Sequence, residues 1–240
     1  MSDASTNPPS WSGPGVVQTF ITIPPSSQLD QETLSKWLDE VYLPAVIDTG
    51  VVKSAWRFKA ANPDHGKQNL VFLKVPDLAP VQAGKLQAIS RTSDMFPSSE
   101  SIDAFVESES GIFSFVQLYE TTKQPEDAGS VIVYAGMEPK PGGEADLDAW
   151  YREEHNQQMS EQPGWKRTTR FSLLFQHRPD GKEMERISFL AIHEFGDGHK
   201  IGKNVETLDP MTDWTKKVMS EAKAIDAAIY HKVKTFGTAA

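Results

Sequence analysis

The chain contains no cysteine. That excludes a disulfide scaffold, a thiol nucleophile and cysteine-based zinc or iron–sulfur sites. It also lacks an excess of positive charge, since 33 acidic residues against 24 lysines and arginines leave a net charge of −9. No basic stripe marks a nucleic-acid surface, and an acidic surface disfavours anionic membranes. No apolar run approaches the ~20 residues that span a bilayer. The N-terminus has neither the basic nor the apolar region of a secretory signal. No GxSxG, P-loop or strand-borne GxGxxG occurs, so nucleotide or dinucleotide use has no support. The expectation is a soluble cytoplasmic protein, with a small molecule and not nucleic acid or membrane as its partner.

What is present suits a globular chain. Its 240 residues are 38% hydrophobic and 10% aromatic, enough for the core of one large domain or two small ones. The stretch 146–171 organises the rest. Leu147, Trp150, Tyr151, Glu154, His155, Gln158 and Met159 recur at helical spacing, after Asp146 as an expected N-cap. This stripe starts apolar and turns polar at Glu154 and His155. Pro163-Gly164 stops the helix. From Trp165 a strand follows, in which Phe171, Leu173 and Phe175 alternate with Arg170, Ser172 and Leu174.

Residues 1–15, rich in Ser, Pro and Gly, read as a flexible tail. Strands are expected at 16–23, 51–59, 70–75 and 112–120, and helices at 29–47, 78–91 and 102–109. Pro44 should kink or end the first of these helices. A polar linker covers 121–129. The pattern then restarts, with strands at 131–137, 165–176, 186–195 and 229–236 and helices at 144–160 and 212–227. Residues 237–240 form a second tail.

The two halves overlay. At an offset of 113, Trp37 meets Trp150, Glu40 meets Glu153, Lys53 meets Lys166, and Arg57-Phe58 meets Arg170-Phe171. At 117, Phe72-Leu73 meets Phe189-Leu190, Ile112 meets Ile229 and Val116 meets Val233, which puts four extra residues in the second hairpin. Each half reads β-α-β-β-α-β, a split βαβ or ferredoxin-like unit that leaves one sheet face bare. The expected fold is α+β: two tandem ferredoxin-like repeats, 16–120 and 130–236, packed sheet to sheet as a barrel within one chain. A monomer is then possible, and a homodimer optional.

The segment Asp148-Ala149-Trp150-Tyr151-Arg152-Glu153-Glu154-His155, with Pro163-Gly164-Trp165 and Arg170-Phe171, resembles the dimeric α+β barrel superfamily, most of all its EthD-like branch. Members include cofactor-free decarboxylases, cyclases, isomerases and monooxygenases of polyketide and aromatic metabolism, and others without known activity. Asn156 departs from the apolar residue and proline that often follow the motif histidine. The first half has Tyr42 and Val41 where the second has His155 and Glu154. The resemblance therefore implies one intact site and one degenerate copy.

On this reading His155 is the general acid/base, since imidazole exchanges protons near neutral pH. Tyr151, one turn earlier, would orient it or bind substrate oxygen, and Glu154 would raise its pKa. Against this stands a core histidine satisfied by a carbonyl or by Glu154, and a Glu154 that faces solvent or an arginine. Arg170 would clamp a substrate carboxylate, or pair with a carboxylate inside the barrel. Trp150, Trp165 and Phe171 are candidates for binding substrate, with plain core packing as the alternative. His193 and His199 lie six apart, which is no recognised zinc spacing, and no metal is expected. No cofactor is expected either, and nothing specifies a haem ligand. The function so implied is a cofactor-free lyase or isomerase performing decarboxylation, dehydration or cyclisation on a small aromatic or polyketide-like substrate. The alternative is a non-catalytic ligand-binding or stress-related protein of the same fold.

Overall fold

The computed structural model describes residues 10–239. Eight antiparallel strands close into one barrel in the order β1-β3-β2-β8-β5-β7-β6-β4. The first four are β1 (Gly15–Thr22), β2 (Ser54–Ala60), β3 (Asn69–Val75) and β4 (Glu107–Tyr119). The others are β5 (Val131–Pro139), β6 (Trp165–His177), β7 (Phe189–Phe195) and β8 (Ala222–Gly237). Each half contributes four strands in the same order, β4-β1-β3-β2 and β8-β5-β7-β6. The seams are β2 against β8 and β4 against β6. Closure removes the open sheet edges that would otherwise recruit another chain.

Strand alternation sorts side chains into two layers. Val16, Phe20, Phe58, Phe72, Phe171, Leu190, Ile192 and Tyr230 face the lumen. Val17 and Ile21, on the opposite face of β1, pack outward under a helix. That helix is built in three pieces: α1 (Gln31–Trp37), a π-helical turn at Leu38–Tyr42, and α2 (Leu43–Asp48). Asp30 caps its start by accepting from the Thr33 N–H at 2.7 Å. Pro44 does not end the helix, which runs on to Asp48. The second half repeats the arrangement with α4 (Glu144–Trp150), a π-helical turn at Tyr151–His155, and α5 (Asn156–Ser160). No proline stands in that π turn, so proline is not what produces it. Asp146 is not the cap. The helix begins two residues earlier, and Asp146 instead pairs with Lys217 at 3.0 Å.

Other boundaries differ from expectation. The helix expected at 78–91 shrinks to α3 (Ala79–Gln82), because Gly84 adopts a φ of +80° that closes the turn. The helix expected at 102–109 is a single 3₁₀ turn, Ile102–Ala104, and β4 has begun by Glu107. The last helix, α6 (Asp213–Glu221), stops where the extended backbone of Ala222 starts β8, seven residues earlier than expected. Residues 1–9 of the expected tail lie outside those described, but Trp11 is not free. Its N–H donates to Gln82 Oε1 at 2.8 Å, and its ring lies 6.0 Å from Phe175. In the expected C-terminal tail, Ala240 lies outside the described residues, whereas Thr238 bonds Ser54 and Glu126. No helix among the described residues is long and apolar enough to cross a membrane.

The ladders also correct the overlay of the halves. Arg57 faces Val71 and Arg170, its counterpart in the overlay, faces Ala191, so β3 and β7 align at an offset of 120 and the residue matching His193 is Leu73. Phe189-Leu190 is not the counterpart of Phe72-Leu73. The second hairpin is therefore longer by seven residues, not four.

Candidate functional site

Under the first-half helix one continuous apolar cluster fills the layer between helix and sheet, and Val71, Leu73 and Val75 of β3 all belong to it. Under the second-half helix the apolar packing is split in two. Ala191 lies in one cluster and Phe195 in the other. His193 stands between them on the same face of β7, buried. Thr168 and Arg170, facing the helix from β6, and His155, on the helix itself, complete a polar group in that gap.

His155 stacks on Trp150, with ring centroids 4.1 Å apart and planes at 19°. It meets Tyr151 edge-on at 5.2 Å and His193 edge-on at 5.5 Å. Its Nδ1 is buried without a hydrogen-bond partner, as is Oδ1 of the adjacent Asn156. Burial lowers the His155 pKa to about 4, so the imidazole is neutral at pH 7. Burial also holds His193 well below the usual histidine range, with the nearby His155 acting in the same direction. His193 Nδ1 shares a 2.8 Å hydrogen bond with Thr168 Oγ1. Trp165 Nε1 donates to the same oxygen at 3.2 Å. Burial pushes the Tyr151 hydroxyl up to about 12.

Glu154 does not serve His155. It accepts from Thr212 at 2.6 Å and Thr215 at 3.2 Å, at the start of α6. Trp150 Nε1 donates to Thr215 at 3.1 Å. Glu154 and Trp150 thus tie the two second-half helices together, and the imidazole pKa moves opposite to the expected direction. Arg170 faces the helix, not the lumen. It pairs with Asp148 at 2.9 Å, donates to Gln117 at 2.8 Å and lies 4.4 Å above the Tyr151 ring. Its guanidinium is engaged by the protein, which fits the non-catalytic alternative, though the carboxylate sits on the outer helix and not inside the barrel.

The aromatic candidates separate as well. Phe171 points into the lumen, 6.1 Å from Phe72. Trp165 packs outside it, with Val133, Met159 and Phe195. Phe175, which continues the alternation, is exposed. Among the described residues no group of three or more histidine or acidic side chains is placed to hold a metal. His193 joins the site across the sheet, with no part played by His199, whose ring accepts from the Ile201 N–H at 3.2 Å. Sequence spacing missed His193, although the alternation Leu190-Ala191-Ile192-His193 puts it on the face opposite the lumen.

The chain has a ferredoxin-like α+β fold. Its solved neighbours include an anthrone oxidase-like protein (TM-score 0.58, 14% identity, 93% of this chain and 92% of the other). A candidate monooxygenase from Fusobacterium nucleatum matches at TM-score 0.54, with 12% identity over 95% of each chain. Another from Lactobacillus acidophilus matches at 0.52, with 12% identity over 94% of this chain and 96% of that one. At such identities the likeness is one of fold. No protein-family profile and no curated protein matches the sequence.

Proposed function

We propose that the protein is a cofactor-free enzyme that removes or returns a proton on a small aromatic or polyketide-like carbonyl compound, with His155 as the acid/base. The observation that carries this is the unpartnered, buried Nδ1 of a neutral His155 beside a second neutral imidazole, His193. A buried polar atom left without a partner in an otherwise bonded cluster is a site for a ligand's hydrogen. A pKa near 4 makes His155 a weak base, but a bound enolate would raise it, because the imidazolium formed would then face an anion. Tyr151 would hold substrate oxygen. Glu154 holds α6 in place, and Trp150 supports the imidazole.

One solved neighbour is described as anthrone oxidase-like. An anthrone carries a methylene conjugated to a carbonyl through aromatic rings, an acidic C–H of the class required here. Proton transfer at a carbon next to a carbonyl is also common to these reactions: dehydration, cyclisation and oxidation begin by removing the proton, and decarboxylation ends by returning one to the enolate left when CO₂ departs. A lyase or isomerase of the EthD-like branch remains our specific assignment. On the same reading the halves 16–120 and 130–236 are a fused duplication about the linker 121–129. Supporting it are the common strand order and the π turns 113 residues apart. The expected assembly is a monomer or a homodimer, which light scattering would separate as one or two times the single-chain mass of 26.6 kDa.

Hydrogen–deuterium exchange at the anthrone methylene, followed by NMR in buffered D₂O, tests the proton step without fixing the later chemistry. The protein should accelerate exchange, and His155→Ala should remove most of the gain. Equal rates with and without protein, for anthrone and for simpler aryl ketones, would count against proton abstraction. The alternative, ligand binding without chemistry, is favoured by the Trp150 stack, which already covers one face of the imidazole. It predicts that His155→Ala loses stability and nothing else.

A further inference from the structure

The barrel lumen opens at both ends, and His155 lines neither opening. At one end a cavity of about 270 Å³ is bordered by Lys67, Glu109 and Asp226, which satisfy one another as ion pairs at 2.6 and 3.1 Å. The cavity at the other end is larger, about 440 Å³, and its walls are different in kind. Val16, Phe58, Phe72, Ile132, Phe171 and Ile192 line its depth. That volume is in the range of small-molecule sites, which are mostly apolar with a few polar groups to set orientation.

The polar groups lie at the mouth. Residues of the linker cross it and are held there by the barrel. Arg167 Nη2 donates to the carbonyls of Pro125 and Glu126, each at 2.7 Å. Asp127 accepts from Trp56 Nε1 at 2.8 Å and from Lys232 at 2.7 Å. Lys74 pairs with Glu126 at 2.6 Å, and Arg167 with Glu194 at 2.8 Å. Three cations of the mouth are thus matched with three carboxylates. The fourth, Lys53, has no carboxylate partner among the described residues. Beside this polar strap, Phe115 and Leu118 line the entrance although 42% and 46% exposed, an apolar way in for an apolar ligand.

We propose that this end of the lumen is a second ligand site, independent of His155, which takes a flat aromatic carboxylate with its rings among Phe58, Phe72 and Phe171 and its carboxylate beside Lys53. Aromatic walls favour an aromatic guest through edge and face contacts. The unmatched lysine sets the sign of the polar end. A neutral ring compound would gain the apolar burial without the charge contact. A cation would meet Lys53 as a like charge, with the carboxylates of the mouth already taken.

The probe is 2-naphthoate, titrated into the full chain by calorimetry, with tryptophan fluorescence as a second signal because Trp56 lines the cavity. Saturable one-to-one binding is expected. Affinity should fall about 5- to 10-fold for Lys53→Glu, the scale of an exposed charge contact reversed. It should also fall for uncharged 2-naphthol. Ile132→Phe, which fills the lumen, should abolish binding, and His155→Ala should leave it unchanged. Absence of saturation overturns the proposal. So does equal affinity for 2-naphthol and 2-naphthoate, or binding that persists in a folded Ile132→Phe. Lys53 is exposed, so Lys53→Glu keeps the test decisive should Ile132→Phe fail to fold, and unchanged affinity there overturns the proposal too. Loss of binding in His155→Ala would show that the ligand sits under the helix and not in the lumen.

Discussion

Trp150 and His155 lie face to face five residues apart, with ring centroids at 4.1 Å. Trp37 and Tyr42 do the same at 4.9 Å, at matching positions of the first half. The spacing is that of the π turn. The Asn156 N–H bonds the Tyr151 carbonyl, and the Leu43 N–H bonds the Leu38 carbonyl, five residues back in each case. An unbroken α-helix turns 100° per residue and would carry residue i+5 away from residue i. The wider turn brings it back over the tryptophan. Such turns often mark functional positions, and here the second of the two carries an imidazole.

Acid should weaken the protein through this histidine. The folded imidazole has a pKa of about 4, against 6.5 when solvated. Between those values the unfolded chain binds a proton that the folded chain does not. Stability is therefore unaffected above about pH 6.5, falls as pH drops toward 4, and loses at most about 3 kcal/mol through this group. Urea unfolding at pH 7 and pH 4.5 should show the drop in the wild type and a smaller one in His155→Gln. The same drop in both proteins would place the acid sensitivity elsewhere, and His193 would be the first residue to replace.

Arg57 and Arg170 anchor the two helices to the sheet, by different contacts. Arg57 forks onto Asp39 at 2.7 and 2.8 Å and reaches Ser35 at 3.4 Å. Arg170 pairs with Asp148, the counterpart of Ser35, while Asp39 is matched by Arg152. Both guanidinium groups are buried. Arg170→Ala should destabilise by about 1–2 kcal/mol, since it loses two hydrogen-bonded contacts and the cover of Tyr151, while Asp148 keeps Arg152 at 2.7 Å and Gln117 keeps Asn156 at 3.3 Å. Arg170→Met, which retains the apolar cover of Tyr151, should cost less. If the two substitutions are equal in thermal unfolding, the charge contacts contribute and the stacking does not.

Much of this was legible in the sequence, and the failures have physical causes. All eight strands were found, because alternation has a fixed period and Phe171 against Arg170 already announced two faces. The helix of the site was found too, but its periodicity was read as 3.6 throughout. A π turn changes the phase, so Glu154 and His155, set side by side on one stripe, separate: one reaches α6 and the other the sheet. His193 could not be weighed with His155 from spacing, because strand pairing and not sequence distance brings them within 5.5 Å. The lumen cavity left no local signal at all. It exists only where eight strands from both halves meet.

Gly164 is a position where the backbone admits no other residue easily. Its φ is +75°, and an added Cβ would lie 2.5 Å from the His199 nitrogen and 2.8 Å from the Gly196 carbonyl oxygen. Those atoms are backbone and cannot swing away. Gly164→Ala should cost about 1–3 kcal/mol, more than Gly181→Ala, where φ is +68° and nothing lies near. Equal losses in urea unfolding would mean that the 196–199 turn yields.

The last prediction rests on what differs between the halves. In the first, Tyr42 and Leu73 stand where the second has His155 and His193. Burial raises the Tyr42 hydroxyl pKa above its ordinary value, which removes it further from proton transfer at neutral pH. Chemistry should therefore reside in the second half alone. Tyr42→Phe should leave turnover of a proton-exchange substrate unchanged. His155→Ala should lower it about 10²-fold or more, the usual scale for a general acid/base. It should also cost stability, because Trp150 loses its stacking partner. His193→Leu imports the first-half residue at its counterpart and separates the two effects. It removes a buried imidazole that gains little from its surroundings, at the expense of one hydrogen bond to Thr168, so stability should change by no more than about 1 kcal/mol. If His193 holds the charge and position of His155, turnover should fall while Tm stays. Should His193→Leu retain full turnover with His155→Ala inactive, the second imidazole is packing. Should Tyr42→Phe be the inactive variant, the site has been placed in the wrong half.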